Sequence, residues 1–306
     1  MGGVNGKEAN MDSVSNKDSN KDSNKTKTTA HNNTWLFVPA TRLDRIKKAF
    51  DSGAAAVIVD LEDAVAQEDK AQARDALKKY YDDQNEKQSY QPIWLRINRA
   101  GSEAFIADLV LCQQMPTLAG VLLAKAEQAS DIEYVHQRTG LPVIALIESA
   151  AGLYQIDSMA KAAGLAAFSY GFLDLCNDLR VQVGTPAADT VANQIRYQLI
   201  LTSRVHKLAP PIDTVYPDFN DEAGLHERVQ LWSQMGMSGM LCIHPKQVAT
   251  IHQSLRPTER EFEFAKRVVA EYESCGQAVF KIDGEMVDAP VIARCRQLLS
   301  QWQMDE

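Results

Sequence analysis

At 306 residues, 45% hydrophobic and 24% charged, the chain has the composition of a globular protein, and it holds no apolar run near the roughly 20 residues that span a bilayer. A net charge of −8, with Lys and Arg scattered apart from a short cluster at Arg42–Lys48, argues against a nucleic-acid partner and leaves room for a locally positive site that binds a small anion. The five cysteines are widely spaced with no CxxC pair, which argues against a disulfide framework or a zinc site; with no secretory signal at the N-terminus, a cytoplasmic protein with reduced thiols is expected.

Residues 1–33 stand apart. Ser15–Lys27 is almost wholly Ser, Asn, Lys, Asp and Thr, and the unit Ser-Asn-Lys-Asp occurs twice back to back from Ser15 to Asp22. Such a stretch cannot bury enough apolar surface to offset its ordering entropy, so it reads as a disordered tail.

From Thr34 the texture changes to short apolar runs, each followed by a helix-like segment. The predicted strands are Trp35–Val38, Ala56–Asp60, Ile93–Ile97, Gly120–Leu123, Val143–Ile147, Ala167–Tyr170, Ile212–Val215 and Met240–Ile243. Between them, Thr41–Ser52 and Lys70–Tyr81 carry apolar residues at helical spacing. Eight alternating units within 34–250 predict an α/β fold of the TIM (β/α)8 barrel type, with an open doubly wound sheet as the alternative. No GxGxxG or GxxxxGK[ST] fingerprint follows a strand, which weakens the nucleotide-binding alternative. Residues 251–306 read as a C-terminal helical extension. One helix begins near Pro257 and carries Phe262, Ala265, Val268 and Val269; a second covers Ala289–Trp302. The piece is too small for much of a core of its own, so it is expected to pack on the barrel or on a neighbouring subunit.

Barrel active sites lie at the C-terminal ends of the strands. The polar residues there are Asp60, Glu62 and Asp63 after the second strand, Arg96 and Asn98 after the third, and Lys125 and Glu127 after the fourth. Glu148 follows the fifth, Asp174 and Asp178 the sixth, Asp218 the seventh, and His244 and Lys246 the eighth. Buried charges are costly unless paired, so so many at one end suit a site that holds a metal and an anion. Carboxylates are hard ligands suited to Mg²⁺ or Mn²⁺, and Glu148 with Asp174 would suffice. Asp178 reads better as a helix cap. Arg96 is placed for bidentate binding of a carboxylate, or for a salt bridge to Glu62 or Asp63. His244 suits a general base and a structural hydrogen bond at the barrel rim about equally.

These residues sit in a series of familiar stretches: Leu36-Phe37-Val38-Pro39-Ala40, Val59-Asp60-Leu61-Glu62-Asp63-Ala64-Val65, Leu95-Arg96-Ile97-Asn98, Ala145-Leu146-Ile147-Glu148, Tyr170-Gly171 with Asp174-Leu175, Ile212-Asp213-Thr214-Val215-Tyr216, and Ile243-His244-Pro245 with Gln247-Val248. In this order the chain resembles the HpcH/HpaI aldolase/citrate lyase family, which includes the citrate lyase beta subunit and the malyl-CoA and citramalyl-CoA lyases. The resemblance runs from about Trp35 to the C-terminus. It implies a Mg²⁺-dependent lyase that cleaves or forms a carbon–carbon bond in a beta-hydroxyacyl-CoA thioester, giving acetyl-CoA and a 2-oxo acid. It implies Mg²⁺ on Glu148 and Asp174, a 2-oxo acid carboxylate on Arg96, and Glu62 with Asp63 supporting both. Backbone N–H groups near Gly171, Phe172, Leu173 and Asp174 would position the oxo acid, and Arg42 and Lys47 would meet the CoA phosphates.

The segment Asp283–Asp288 resembles the part that, in free-standing acyl-CoA lyases, crosses to the next subunit and delivers an acid, matched here by Asp288. That implies a homotrimer or a multiple of it such as a hexamer. Three departures bear on substrate identity: Ala124 where proline is frequent, Arg180 where glycine is common, and the bulk of Phe172 and Leu173. The competing readings are a malyl-CoA-type thioesterase, a CoA-independent aldolase of 2-oxo acids, and a non-catalytic subunit that binds partners through its tail.

Overall fold

The computed structural model describes residue 2, residues 33–88 and residues 91–302, so the predicted tail lies almost entirely outside the described residues. Eight strands form a closed parallel barrel: β1 (Thr34–Pro39), β2 (Ala56–Asp60), β3 (Trp94–Ile97), β4 (Gly120–Leu123), β5 (Val143–Ile147), β6 (Leu165–Tyr170), β7 (Ile212–Asp213) and β8 (Gly239–Cys242). Each strand pairs with the next, and β1 pairs with β8. The predicted TIM-type barrel is the observed fold.

Alternation along the strands explains why these runs close a barrel. Trp35, Ile58, Leu122, Ile144, Leu146, Ala167, Ile212 and Leu241 fill the interior, joined by Phe37 and Trp94. Their neighbours Leu36, Val38, Val57, Val59, Val121, Val143, Ala145 and Ile147 face outward into the layer beneath the helices. Both faces are apolar, so the strands read as continuous apolar runs. Inside, Trp35 and Trp94 meet edge to face at 5.3 Å. The Trp94 ring fills the space that a Cβ at position 120 would need, which explains Gly120.

The period of two also aims the site. Asp60 follows Ile58 by two residues, Arg96 follows Trp94, and Glu148 follows Leu146. Each therefore continues an inward-facing row one step beyond the apolar plug, into the barrel's mouth.

Several strand ends shift by one or two residues from the sequence-based expectation, and four larger differences stand out. The segment predicted as one helix over 41–52 is a 3-10 turn at Leu43–Arg45 followed by a short helix at Ile46–Asp51. The helix predicted to stop at Tyr81 runs through Lys70–Glu86. Strand β7 is two residues long, Thr214 and Val215 of the predicted run lying beyond its end. Two helices rather than one follow β6, at Phe172–Leu179 and Pro186–Val205, and Arg180 closes the first in the left-handed region at φ +58°, a conformation that glycine adopts without cost.

The helix Pro245–Leu255 packs on β8 and β1. Beyond it, helices Glu259–Cys275 and Ala289–Trp302 flank an antiparallel hairpin of β9 (Phe280–Ile282) and β10 (Glu285–Val287). Ala265, Val268, Val287, Ile292 and Cys295 bury one another in a cluster separate from the barrel's two. Among the described residues, no helix is long and apolar enough to cross a membrane.

Candidate active site

The loop after β2 is built on Asp60. Its buried carboxylate accepts the N–H of Glu62 at 2.8 Å and of Ala64 at 3.1 Å, folding the loop back over the strand end. Lys70 secures the same loop from the following helix, donating to the carbonyls of Leu61 and Glu62 at 2.8 Å each. Asn98 ties it to β3, with its side-chain amide on Leu61 O and on Asp108.

Arg96 lies across this loop. Its Nε and Nη2 donate to the two carboxylate oxygens of Asp60 at 2.7 and 2.6 Å, and its Nη1 stands 3.3 Å from Glu62. The Phe37 ring packs 4.8 Å from the guanidinium. The expected partner was Glu62 or Asp63; the main partner is Asp60. The reason is register, because Asp60 and Arg96 are paired residues of neighbouring strands. The strand period marks Asp60 as inward-facing, but only the register of β2 on β3 sets it opposite Arg96.

Lys125 joins the remaining acids. Its ammonium donates to Glu62 and stands 3.4 Å from Asp63, while its backbone N–H donates to Glu148 at 2.9 Å. Carboxylate oxygens of Asp63, Glu148 and Asp174 all lie within 4.8 Å of one another. Ligands about 2.1 Å from one Mg²⁺ stand about 3–4 Å apart, so small side-chain rotations bring these three oxygens to that spacing. Gly171 makes room for the arrangement: a Cβ there would stand 2.5 Å from the Glu148 Oε1 atom. Glu148 and Asp174 open on a cleft of about 570 Å³ that is also lined by Arg99, Lys125, Ser149 and Asp178.

Electrostatics follow from this crowding. Burial, with help from Glu62, pushes the Glu148 carboxyl up to about 8, against the pull of Arg96, Lys125 and the Lys125 N–H. Burial raises Glu62 as well, opposed by Arg96 and Lys125. Burial also opposes charge on Asp63, but its hydrogen bond with Glu62 and the nearby Lys125 and Arg96 hold it below the usual carboxylate range. Burial works against both cations, yet Asp60 holds Arg96, and Glu62 with Glu148 holds Lys125, above their ordinary values.

Other residues singled out from sequence lie elsewhere or are engaged. The Gly171 N–H donates to Ile147 O at 2.9 Å, so it is taken up by the β5–β6 ladder rather than offered to a ligand. The Phe172 N–H donates to Thr214 at 3.2 Å, and the Leu173 side chain is exposed. Among the described residues, the N–H groups of Leu173 and Asp174 have no partner. Asp178 does act as a cap, but of another helix, accepting the Ala150 N–H at 2.7 Å. His244 is also a cap: its Nδ1 accepts the Lys246 N–H, and its ring stacks on Phe219 at 4.5 Å. Asp218 accepts the Asn220 N–H in a turn. On the surface after β1, Arg42 pairs with Asp44 and Lys47 with Asp51. Asp288 is exposed and accepts the Val291 N–H at 3.3 Å, at the start of the last helix.

The model of the HpcH/HpaI aldolase/citrate lyase family matches residues 33–245, which span the whole barrel. The chain belongs to that family. As a member of the citrate lyase beta-like group it is an enzyme of the carbon–carbon lyase class. A citrate lyase subunit beta-like protein of Deinococcus radiodurans is 32% identical over 275 residues, covering 87% of this chain and 95% of the relative. A (3S)-malyl-CoA thioesterase of Cereibacter sphaeroides is 31% identical over 271 residues, covering 87% and 93%. Among solved structures, the CitE protein of Mycobacterium tuberculosis in complex with magnesium, acetoacetate and coenzyme A superposes with a TM-score of 0.78. It is 29% identical, with 89% of this chain and 99% of that one covered.

Proposed function

We propose that this family member is a Mg²⁺-dependent lyase that cleaves, or in reverse forms, the carbon–carbon bond of a beta-hydroxyacyl-CoA such as citramalyl-, malyl- or citryl-CoA. The observation that carries the reading is the convergence of Asp63, Glu148 and Asp174 beside the Asp60-bound Arg96. Magnesium and coenzyme A accompany acetoacetate in the structure of the M. tuberculosis relative, which supports both as the ion and the thioester carrier here.

Bound at those acids, Mg²⁺ (or Mn²⁺) would supply Lewis acidity toward the hydroxyl and carboxylate oxygens of the substrate. Arg96 gives two of its five N–H groups to Asp60, which fixes the guanidinium plane. Its Nη1 group, 3.3 Å from Glu62, would be shared with the substrate carboxylate. Leu173 and Asp174 N–H, at the start of their helix, favour negative charge at the oxo acid. In cleavage the hydroxyl loses its proton, the bond between the alpha and beta carbons breaks, and the 2-oxo carbonyl forms. The electron pair passes to the thioester as its enolate, which takes a proton at the alpha carbon to give acetyl-CoA. Asp288 of a neighbouring copy would hold that proton and, in condensation, remove it. Its exposure in a single chain leaves it available for such a role, within a trimer or hexamer. Arg42 and Lys47, exposed after β1, would meet the CoA phosphates. We take residues 34–250 as the catalytic barrel and 251–306 as the unit that carries Asp288 to the neighbour.

The test is cleavage of citramalyl-, malyl- and citryl-CoA with and without Mg²⁺, products identified by mass. Acetyl-CoA plus a 2-oxo acid supports the reading and names the substrate. Free CoA moves it to the thioesterase activity named for the C. sphaeroides relative. No turnover of any thioester moves it to an aldolase of free 2-oxo acids.

A further inference from the structure

Lys125 is the residue that touches the most acids of the site, and it does so with two independent groups. The ammonium meets Glu62 and Asp63 from the loop after β2; the backbone N–H meets Glu148 at the end of β5. To present both toward the cleft, its backbone lies in the left-handed region at φ +49°, which a side chain with a Cβ seldom adopts. The residues on either side hold it there. Ala124 N–H donates to Ile97 O of β3 at 3.3 Å, and Ala126 N–H donates to Leu146 O of β5 at 3.0 Å. The first of these bonds requires a residue other than proline at 124.

The two carboxylates on the ammonium are not held alike. Glu62 is buried and sits in a short contact; Asp63 is half exposed and stands off at 3.4 and 3.5 Å. Asp63 is also the one of the two whose oxygen lies in the trio with Glu148 and Asp174. The loosely held acid is thus the one placed to change partners.

We propose that Lys125 is a positioning residue that serves as the site's internal counter-ion: it neutralises the Glu62–Asp63 pair and aims Glu148 before a divalent ion arrives, and the ion then takes Asp63 over from it. The handover rests on the reading of these acids as a metal site. The counter-ion role stands on the ion-free geometry alone. Removing the ammonium leaves four carboxylates, Glu62, Asp63, Glu148 and Asp174, at close quarters, with Arg96 paired to Glu62 and Arg99 on the same cleft as the remaining cations. It also removes a cation that repels the incoming ion.

The experiment uses the full chain and the variants K125M and K125R. Melting temperature is read at pH 8 with the metal removed and with Mn²⁺ added, Mn²⁺ affinity by paramagnetic resonance, and kcat at saturating metal. The expected results for K125M are a lower metal-free melting temperature, a larger Mn²⁺-induced rise than in the wild type, and Mn²⁺ affinity equal to the wild type's or up to about tenfold tighter. Its kcat falls by on the order of a hundredfold, because Glu62 beside Arg96 is no longer held in place by the ammonium. K125R keeps the charge and retains the metal-free melting temperature. The proposal is overturned if K125M melts as the wild type does without metal, or binds Mn²⁺ more than about tenfold more weakly. If the wild type itself gains nothing from Mn²⁺, the metal reading falls. The counter-ion role is then decided by the metal-free melting temperatures: loss in K125M with retention in K125R supports it, and no loss in K125M ends it.

Discussion

Asp60 grips Arg96 through both carboxylate oxygens, at 2.7 and 2.6 Å, where β2 and β3 leave the barrel's apolar interior. The pair is almost wholly buried, at 2% and 12% side-chain exposure. Its geometry occupies the Nε–Nη2 edge of the guanidinium and leaves Nη1 3.3 Å from Glu62. D60N keeps the shape but removes the charge that fixes the plane. Breaking a buried pair costs about 3–5 kcal/mol of stability, and a loosened Arg96 should lower kcat/KM by on the order of a hundredfold. R96K should lose as much activity, because an ammonium has no planar fork. Steady-state kinetics and thermal melts of both variants check this. A D60N enzyme with native kcat/KM would show that Arg96 needs no anchor.

Asp174 and Asp178 lie one helical turn apart and line the same cleft, yet their contacts separate them. Asp174 joins Asp63 and Glu148 in the trio, while Asp178 caps the helix that begins at Ala150. D174N should weaken Mg²⁺ binding by about a hundredfold or more and abolish turnover at ordinary metal concentrations. D178N should cost about 1 kcal/mol of stability through the weakened cap and leave metal affinity unchanged. Isothermal titration with Mg²⁺ or Mn²⁺ on both proteins decides. Equal losses in the two would mean that the cleft binds the ion diffusely.

The contrast between Asp60 and Asp288 shows what was legible in the sequence. Residues whose position follows from the strand period alone could be placed in advance. The apolar runs located all eight strands, and Glu148 and Arg96 were found because each ends such a run. Asp60 was overlooked as a partner because strand register, which sets it opposite Arg96, is fixed by barrel closure and not by local pattern. The turn at Lys125 was hidden for a similar reason: a left-handed lysine leaves no compositional mark. The backbone donors were misjudged at Gly171, whose N–H is consumed by the β5–β6 ladder. Asp288, Arg42 and Lys47 were marked by resemblance alone, and in one chain they stand at the surface.

The pH dependence of stability has a definite sign. Glu148, with its carboxyl pushed up to about 8, binds a proton in the fold that the unfolded chain has already released at neutral pH. The folded state thus holds more protons between the ordinary glutamate value and about 8, and stability falls as pH rises through that window. Glu62, raised as well, acts in the same direction. A bound divalent ion favours the ionised acids and reverses the trend. The metal-free melting temperature should therefore drop from pH 6 to pH 9, and the rise produced by Mg²⁺ should grow over the same range. Proton release on binding, read by calorimetry in two buffers of different ionisation enthalpy, should accompany it. A metal-induced rise independent of pH would contradict this account.

Gly171 offers the narrowest test, because its backbone imposes nothing. Its φ of −98° suits any residue, so an alanine there carries no conformational strain. What the methyl group meets is the Glu148 carboxyl, at 2.5 Å from Oε1 and 2.8 Å from Cγ. Glu148 has little freedom to withdraw, since its other oxygen holds the Lys125 N–H and its side chain is buried. Overpacking of this kind costs about 1–3 kcal/mol. The more informative loss should be in metal affinity, about tenfold or more, because the displaced carboxylate is one of the three that converge. G171A should thus fold, melt a few degrees lower, and require more Mg²⁺ for half-maximal turnover, with kcat largely restored at saturating metal. Wild-type metal affinity in G171A would mean that Glu148 has an alternative rotamer from which it still reaches the ion.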